Sequence, residues 1–169
     1  NKLKEMGGNI QVFNHSLFGK EPIADINIKS SILHACEVAP EDVPNLIDEL
    51  PVLFVACSFA EGTSNFYEIE ELKHKESDRL KAMQEGLDKM KINNFFEDSI
   101  FCIEGKGKDY KTPNFLAETY YDHRIAMSFA IAGLNSSSSI EISAPESINT
   151  SFPEFIGLGK TLGCNFELS

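Results

Sequence analysis

"HKESDRLKAM", residues 74–83, crowds four charges, Lys75, Glu76, Asp78 and Arg79, just ahead of an apolar pattern: Leu80, Met83, Leu87 and Met90. Residues three and four apart share one helix face, so the spacing predicts an amphipathic helix over 78–91. Extrapolated back along that wheel, Glu76 and Arg79 fall on or beside the face carrying Met83 and Leu87. A solvated face would place charges opposite the apolar stripe. These stand at its head, at the rim of the core, with Ser77 as the candidate N-cap.

Two further helices repeat the arrangement. "PVLFVACSFA" (51–60) and "IAMSFAIAGL" (125–134) are apolar nearly all round, which predicts burial. Their charges lie only at the N-terminal tips: Asp48 and Glu49 in "NLIDELP", then Asp122, His123 and Arg124 in "YYDHRIAM". Helix N-termini favour anions through free N–H groups and the dipole. Arginine forks hold carboxylate or phosphate by two hydrogen bonds, and carboxylates beside bound anions serve as acid or base. Three such tips converging would bind a small, highly anionic substrate and move protons on it. On the residues alone, plainer readings stay open. The "KESDR" charges could pair with one another or complement the dipole, Asp48 could be an N-cap, and His123 a structural hydrogen bonder. His15, His34 and His74 lack ligand spacing, which argues against a metal site. "GKGKDYKT" lacks the full phosphate-loop pattern and reads as an exposed loop.

Composition sets the outer bounds. The 169 residues suit one domain or part of a larger one, and 42% hydrophobic content with 13 Phe supports a real core. No apolar run reaches the roughly 18 residues a membrane span needs. A net charge of −11 argues against nucleic acid or anionic membrane as partner, yet a local Lys/Arg cluster can reverse the field in one cleft. Cys36, Cys57, Cys102 and Cys164 show no CxxC spacing and read as free thiols of a reducing compartment, with disulfides or zinc as the other readings. No secretory signal pattern opens the chain.

Strands and helices alternate, so the class is mixed α/β. Expected strands cover 9–13, 23–28, 31–37, 62–70 with its turn, 93–97, 100–104, 115–119, "IEIS" (140–143) and 164–168. Expected helices cover 45–60 with Pro51 in the first turn, 78–91, 123–134 and 153–163. "NHSLFGKEP" (14–22) is read as a turn region and "NSSSS" (135–139) as a turn. "KEMGGNIQVF", "DKMKINNFFED" and "KTLGCNFEL" each join a helix tail to a strand beginning near an Asn. Asn9, Asn93 and Asn165 lie too far apart for a solenoid repeat. They suit two successive α/β units, roughly 9–92 and 93–169, preceded by the tail of a third. An opening at "NKLKEMGGN", a helix tail without Met, leads us to expect a fragment lacking its N-terminal part.

Taken in order, "NLIDELPVL", "KESDRLKAM", "YDHRIAMSFAIAGL" and "TSFPEF" resemble the C-terminal part of the 5-enolpyruvylshikimate-3-phosphate synthase family, across nearly the whole chain. The resemblance implies two domains of repeated βαβαββ units with the site in the cleft between them. This chain would hold two of the three units of the C-terminal domain, its partner the missing N-terminal domain of the same protein. It implies transfer of the enolpyruvyl group from phosphoenolpyruvate to the 5-hydroxyl of shikimate 3-phosphate, without cofactor or metal, in a cytoplasmic monomer. The isolated chain would be inactive. By motif position Asp48 would contact shikimate 3-phosphate and act as base toward its hydroxyl. Glu76 would handle the proton at the methylene carbon of phosphoenolpyruvate. Lys75 would bind near the shikimate hydroxyls, and Arg79 and Arg124 would hold the phosphoenolpyruvate carboxylate and phosphate. Asp122 and His123 would stand beside them. Glu71 occupies a position where many members carry Asn, and Thr150 one where many carry Lys. Two alternatives remain: a sister enolpyruvyl transferase acting on UDP-N-acetylglucosamine, and a non-catalytic module whose charged tips are caps.

Overall fold

A short helix, α1 (Lys2–Glu5), ends at Met6 and at Gly7, whose φ of +95° suits glycine and few other residues. The computed structural model describes residues 1–137 and 139–167. A hairpin follows, β1 (Asn9–Phe18) and β2 (Glu21–Lys29), antiparallel. Next come β3 (Glu37–Val38), α2 (Val43–Leu46), α3 (Leu50–Ser58), β4 (Glu61–Tyr67), α4 (Arg79–Lys89), β5 (Asn94–Glu97) and β6 (Ile100–Lys106). Their strands form one sheet in the order β3-β4-β6-β5, with β3 parallel to β4 and β6 antiparallel to both its neighbours. The pattern restarts with β7 (Phe115–Ala117), α5 (His123–Gly133) and β8 (Ile140–Ile142), where β7 and β8 pair in parallel across α5. A 3-10 turn at Pro145–Thr150 and α6 (Phe155–Thr161) follow. The class is mixed α/β, as the alternation predicts.

Phe54 of α3 is the centre of the packing. Its ring meets Phe66 of β4 at 4.7 Å and Phe101 of β6 at 5.1 Å, both edge-on. All three are fully buried, and each removes apolar surface worth roughly 2–3 kcal/mol. The all-round apolar character of α3 is thus used on several sides, against the sheet, α4 and α5. On α4, Leu80, Met83 and Leu87 are buried together with Arg79, so the charged head does lie on the apolar stripe.

Several elements differ from the sequence reading. The helix expected over 45–60 is two helices, α2 and α3, separated at 47–49. Pro51, in the first turn of α3, has no N–H to carry an earlier helix forward and disfavours helical backbone before it. That break leaves Asp48 and Glu49 at the head of α3. The turn region expected at 14–22 is mostly strand, since β1 runs to Phe18 and the reversal is confined to Gly19 and Lys20. A register shift between Phe13 and Ser16 interrupts the alternation instead, with Asn14 at φ +53° and its amide donating to Asp25 at 2.7 Å. The strand expected over 31–37 shrinks to one bridge, His34 to Glu61, and to β3. Residues 164–167 form no strand, because no neighbouring strand pairs with them among the described residues; Leu168 of that expected strand, and Ser138 of "NSSSS", lie outside those residues.

One face of the hairpin is largely apolar. Register pairs Ile10 with Ile28, Val12 with Ile26 and Leu17 with Pro22, and alternation adds Ala24 to the same side. Leu17, Ile26 and Ile28 remain 62–69% exposed, too open for a face built to be buried.

Helices α4 and α5 are packed against each other where Gly86 meets Phe129. A Cβ at Gly86 would overlap the outer edge of the Phe129 ring, which is fully buried and set edge-on to Phe115 at 6.0 Å. Gly86→Ala should therefore destabilise the protein by about 1–3 kcal/mol, despite alanine's better helix propensity. Chemical denaturation of the two proteins side by side checks it; equal or greater stability in the variant would contradict the close packing.

Candidate functional site

Arg79, the first residue of α4, is fully buried and faces three carboxylates from three parts of the chain. Its Nε donates to Asp122 Oδ2 at 2.8 Å, Nη1 to Asp48 Oδ1 at 2.9 Å and Nη2 to Glu76 Oε2 at 2.5 Å. The local geometry that permits this is simple. The Asp78 carboxylate accepts from the Lys81 N–H at 3.0 Å and is the N-cap of α4, in place of the expected Ser77. Ser77 is thereby free to donate its hydroxyl to Asp122 Oδ2 at 3.0 Å.

Asp122 caps α5 in turn. Its Oδ1 accepts from the backbone N–H of Arg124 at 2.9 Å and of Ile125 at 3.4 Å, while Oδ2 takes Arg79 and Ser77. One buried carboxylate thus starts one helix and holds the head of another. Burial opposes its ionisation, but the Arg79 hydrogen bond and charge, with the Arg124 N–H and Ser77 hydroxyl, outweigh that and hold it below its ordinary 3.8. Burial likewise opposes the charge on Arg79, and Asp122, together with Glu76 and Asp48, more than restores it.

The rim carries the remaining charges. Lys75 Nζ stands 2.8 Å from Glu71 Oε1 and 3.8 Å from Asp48 Oδ1. The Glu71 hydrogen bond is the main cause of its raised pKa. Arg124 Nη1 donates to the Asp48 carbonyl at 2.8 Å and lies 3.3 Å from Glu49 Oε1, with Nη2 3.9 Å from Asp48 Oδ2. Asp48 and Glu76 are about half exposed, so each presents an open carboxylate edge while its other edge is held by buried Arg79.

The structure therefore brings together Asp48, Glu71, Lys75, Glu76, Arg79, Asp122 and Arg124. The plainer reading of "KESDR" is realised in part, since Arg79 pairs with Glu76, while Lys75 turns to Glu71 outside that stretch; the reach to Asp48 and Asp122 is additional. Two residues stay apart. His123, half-buried in the first turn of α5, makes no hydrogen bond or ion pair with this cluster among the described residues. Thr150 turns its hydroxyl back to the Ser147 carbonyl at 2.7 Å.

Lys81 and Tyr120, which sequence reasoning did not name, adjoin the cluster. Glu76, Ser77, Asp78, Lys81 and Tyr120 line a surface cavity of about 240 Å³. Tyr120 and Tyr121 both hold left-handed backbone, φ +53° and +60°, and the Tyr120 hydroxyl donates to Glu85 Oε2 at 2.7 Å. Consecutive tyrosines there carry strain of roughly 1–3 kcal/mol each, a feature that collects at functional sites. Nothing in the residue types signals it.

Asp122 gives a testable consequence. Its folded pKa lies below the unfolded 3.8, so its stabilisation is complete above that value and is lost as pH falls through the folded pKa. Asp122→Asn should cost about 3 kcal/mol or more at neutral pH, because the guanidinium keeps its burial and loses its fully buried counter-charge. The variant should also show a shallower fall of stability with acid. Urea unfolding across the acidic range measures both, and parallel curves for the two proteins would refute the role.

With this geometry in place, the likeness to known proteins is extensive. The family model described as EPSP synthase (3-phosphoshikimate 1-carboxyvinyltransferase) matches residues 1–158. A 3-phosphoshikimate 1-carboxyvinyltransferase from Zymomonas mobilis is 43% identical, over 98% of this chain and 37% of its own length. One from Parvibaculum lavamentivorans is 40% identical, over 97% of this chain and 36% of its own. The solved EPSP synthase of Acinetobacter baumannii superposes with a TM-score of 0.93 at 42% identity, covering 99% of this chain and 39% of that one. The enolpyruvyl transferase NikO of Streptomyces tendae, with a TM-score of 0.64 at 17% identity, shares the fold. The chain thus spans under two-fifths of the length of the relatives it matches, and on this evidence it belongs to the EPSP synthase family.

Proposed function

We propose that the full-length protein carrying this chain transfers the enolpyruvyl group of phosphoenolpyruvate to the 5-hydroxyl of shikimate 3-phosphate, releasing phosphate. The observation that carries the reading is the set of two open carboxylates, Asp48 and Glu76, held at one buried guanidinium and flanked by Lys75 and Arg124. Asp48 takes the proton of the 5-hydroxyl as its oxygen bonds to the enol carbon. Glu76 gives a proton to the methylene carbon, which becomes methyl in a tetrahedral intermediate. Loss of a proton from that methyl group and departure of phosphate complete the exchange. Lys75 meets the shikimate hydroxyls, and Arg79 and Arg124 hold the carboxylate and phosphate of phosphoenolpyruvate. For Arg79 this requires turning an Nη edge from its carboxylates to the incoming anion; its five N–H donors leave room for that. Glu71 neutralises Lys75 rather than facing the substrate phosphate as a bare charge. Relatives near 40% identity named for this reaction favour it over the UDP-N-acetylglucosamine transferase.

In the full-length protein, phosphate release should require both substrates, and Glu76→Gln should lower kcat on the order of 10²-fold or more with the KM values little changed. Unchanged turnover in that variant would remove the proton-transfer role. Release from phosphoenolpyruvate with UDP-N-acetylglucosamine alone would replace the reaction.

We also propose that the chain is part of the C-terminal domain of a two-domain enolpyruvyl transferase built from repeated units. The division first drawn, near residues 92 and 93, falls between α4 and the β5–β6 hairpin. The four-strand sheet favours moving it beyond β6, so that 37–106 makes one βαβαββ unit. By the same pattern α1, β1 and β2 correspond to the α4, β5 and β6 of a preceding unit, and the open apolar face of β1–β2 is covered by the rest of that unit. Ile26→Ser should then cost about 1–3 kcal/mol in the full-length protein and almost nothing in the 169-residue chain. Equal costs in both would mean that the face stays in water.

A further inference from the structure

Cys36 and Cys57 lie 21 residues apart in the chain, yet their sulfurs approach to 3.9 Å. Both backbones are anchored. The Cys36 N–H donates to Ser64 Oγ at 3.1 Å, and its carbonyl accepts from the Asn65 N–H at 3.0 Å, tying it to β4. Cys57 sits within α3, and its carbonyl accepts from the Ala60 N–H at 3.1 Å. The sulfurs are therefore neighbours through the fold rather than through a mobile loop.

The two thiols are unequal. Cys57 is fully buried, while Cys36 is partly open to solvent. The Cys57 hydrogen bond, set against burial and joined by Ser64 and the Lys2 ammonium, brings the Cys36 thiol below its usual range. The Cys36 contact and burial push Cys57 well above it. A thiol within reach of solvent, its pKa lowered, backed by a buried protonated thiol in van der Waals contact at 3.9 Å, has the layout of a peroxidatic and a resolving cysteine.

We propose that Cys36 and Cys57 form a reversible oxidation site, closed to a disulfide by a hydroperoxide. The Cys36 sulfur attacks one peroxide oxygen, the O–O bond breaks, and the other oxygen leaves with a proton as water or alcohol. Cys36 is then a sulfenic acid. The Cys57 sulfur gives up its proton and bonds to the Cys36 sulfur; the S–O bond breaks and water departs. Two thiols are oxidised by two electrons, and the peroxide is reduced by the same two. Closure to about 2.05 Å requires the sulfurs to move together by nearly 2 Å, within the reach of side-chain rotation. The bond would tie α3, which carries Asp48 and Glu49 at its head, to the start of β3.

The test treats the intact protein with hydrogen peroxide and maps its peptides without reduction. The expected product is a peptide linking Cys36 to Cys57, lighter by two hydrogens and restored by dithiothreitol. In Cys57→Ser, a 1,3-diketone probe should label Cys36 as the sulfenic acid, faster than it labels Cys102 or Cys164. Cys36→Ser should lose both the link and that label. Absence of the 36–57 peptide from the oxidised wild-type protein overturns the proposal, whatever the variants do. Equal labelling of Cys36, Cys102 and Cys164 overturns the assigned order of attack.

Discussion

A guanidinium closed off from water cannot stand alone, and Arg79 meets that constraint by drawing in Asp48, Glu76 and Asp122. Such a group is weak evidence of net stability, because its desolvation offsets much of the attraction. Its strength lies in the cost of removing a partner, which ties the positions of separate elements together. Asp122 is bound into α5 by the backbone it caps, Arg79 opens α4, and Asp48 stands in the break before α3. Three buried helices are aligned at their heads by one side chain.

The same arrangement fixes the electrostatics of the rim. Arg79, Lys75 and Arg124 are already matched by carboxylates, so an anion arriving here exchanges partners rather than filling an empty positive field. Such exchange is local. It does not depend on the net charge of −11, whose longer-range repulsion is screened within about 8 Å at physiological salt. Glu71 pairs with Lys75 and Glu49 with Arg124 on the solvent side of this balance.

Backbone features place these groups. Pro51 ends one helix and starts another, and the interruption is where Asp48 projects. Gly86 lets the Phe129 ring lie against α4. Tyr120 and Tyr121 hold left-handed backbone immediately before Asp122, so strain accumulates at the entry to α5 while the Tyr120 hydroxyl fastens that entry to Glu85. A large part of the site is thus specified by residues with no chemical role of their own.

Much of this was legible in the residues. Apolar periodicity is a local property, so α4, α5 and the β5–β6 pair were readable, as was the place of Arg79 at the head of a buried stripe, though not its full burial. The motifs around Asp48, Glu76 and Arg124 named the candidate groups, since charge type and spacing are written in the chain. Partner choice was not. That Ser77 serves Asp122 rather than capping α4, and that His123 and Thr150 stay outside the cluster, depend on distances between segments far apart in sequence. The strand expected over 164–168 shows the same limit, because a strand exists only where another lies beside it, and periodicity carries no information about neighbours. Side-chain chemistry and local period belong to the sequence; pairing, register and solvent exclusion arise when the chain folds and brings those segments within a few ångströms.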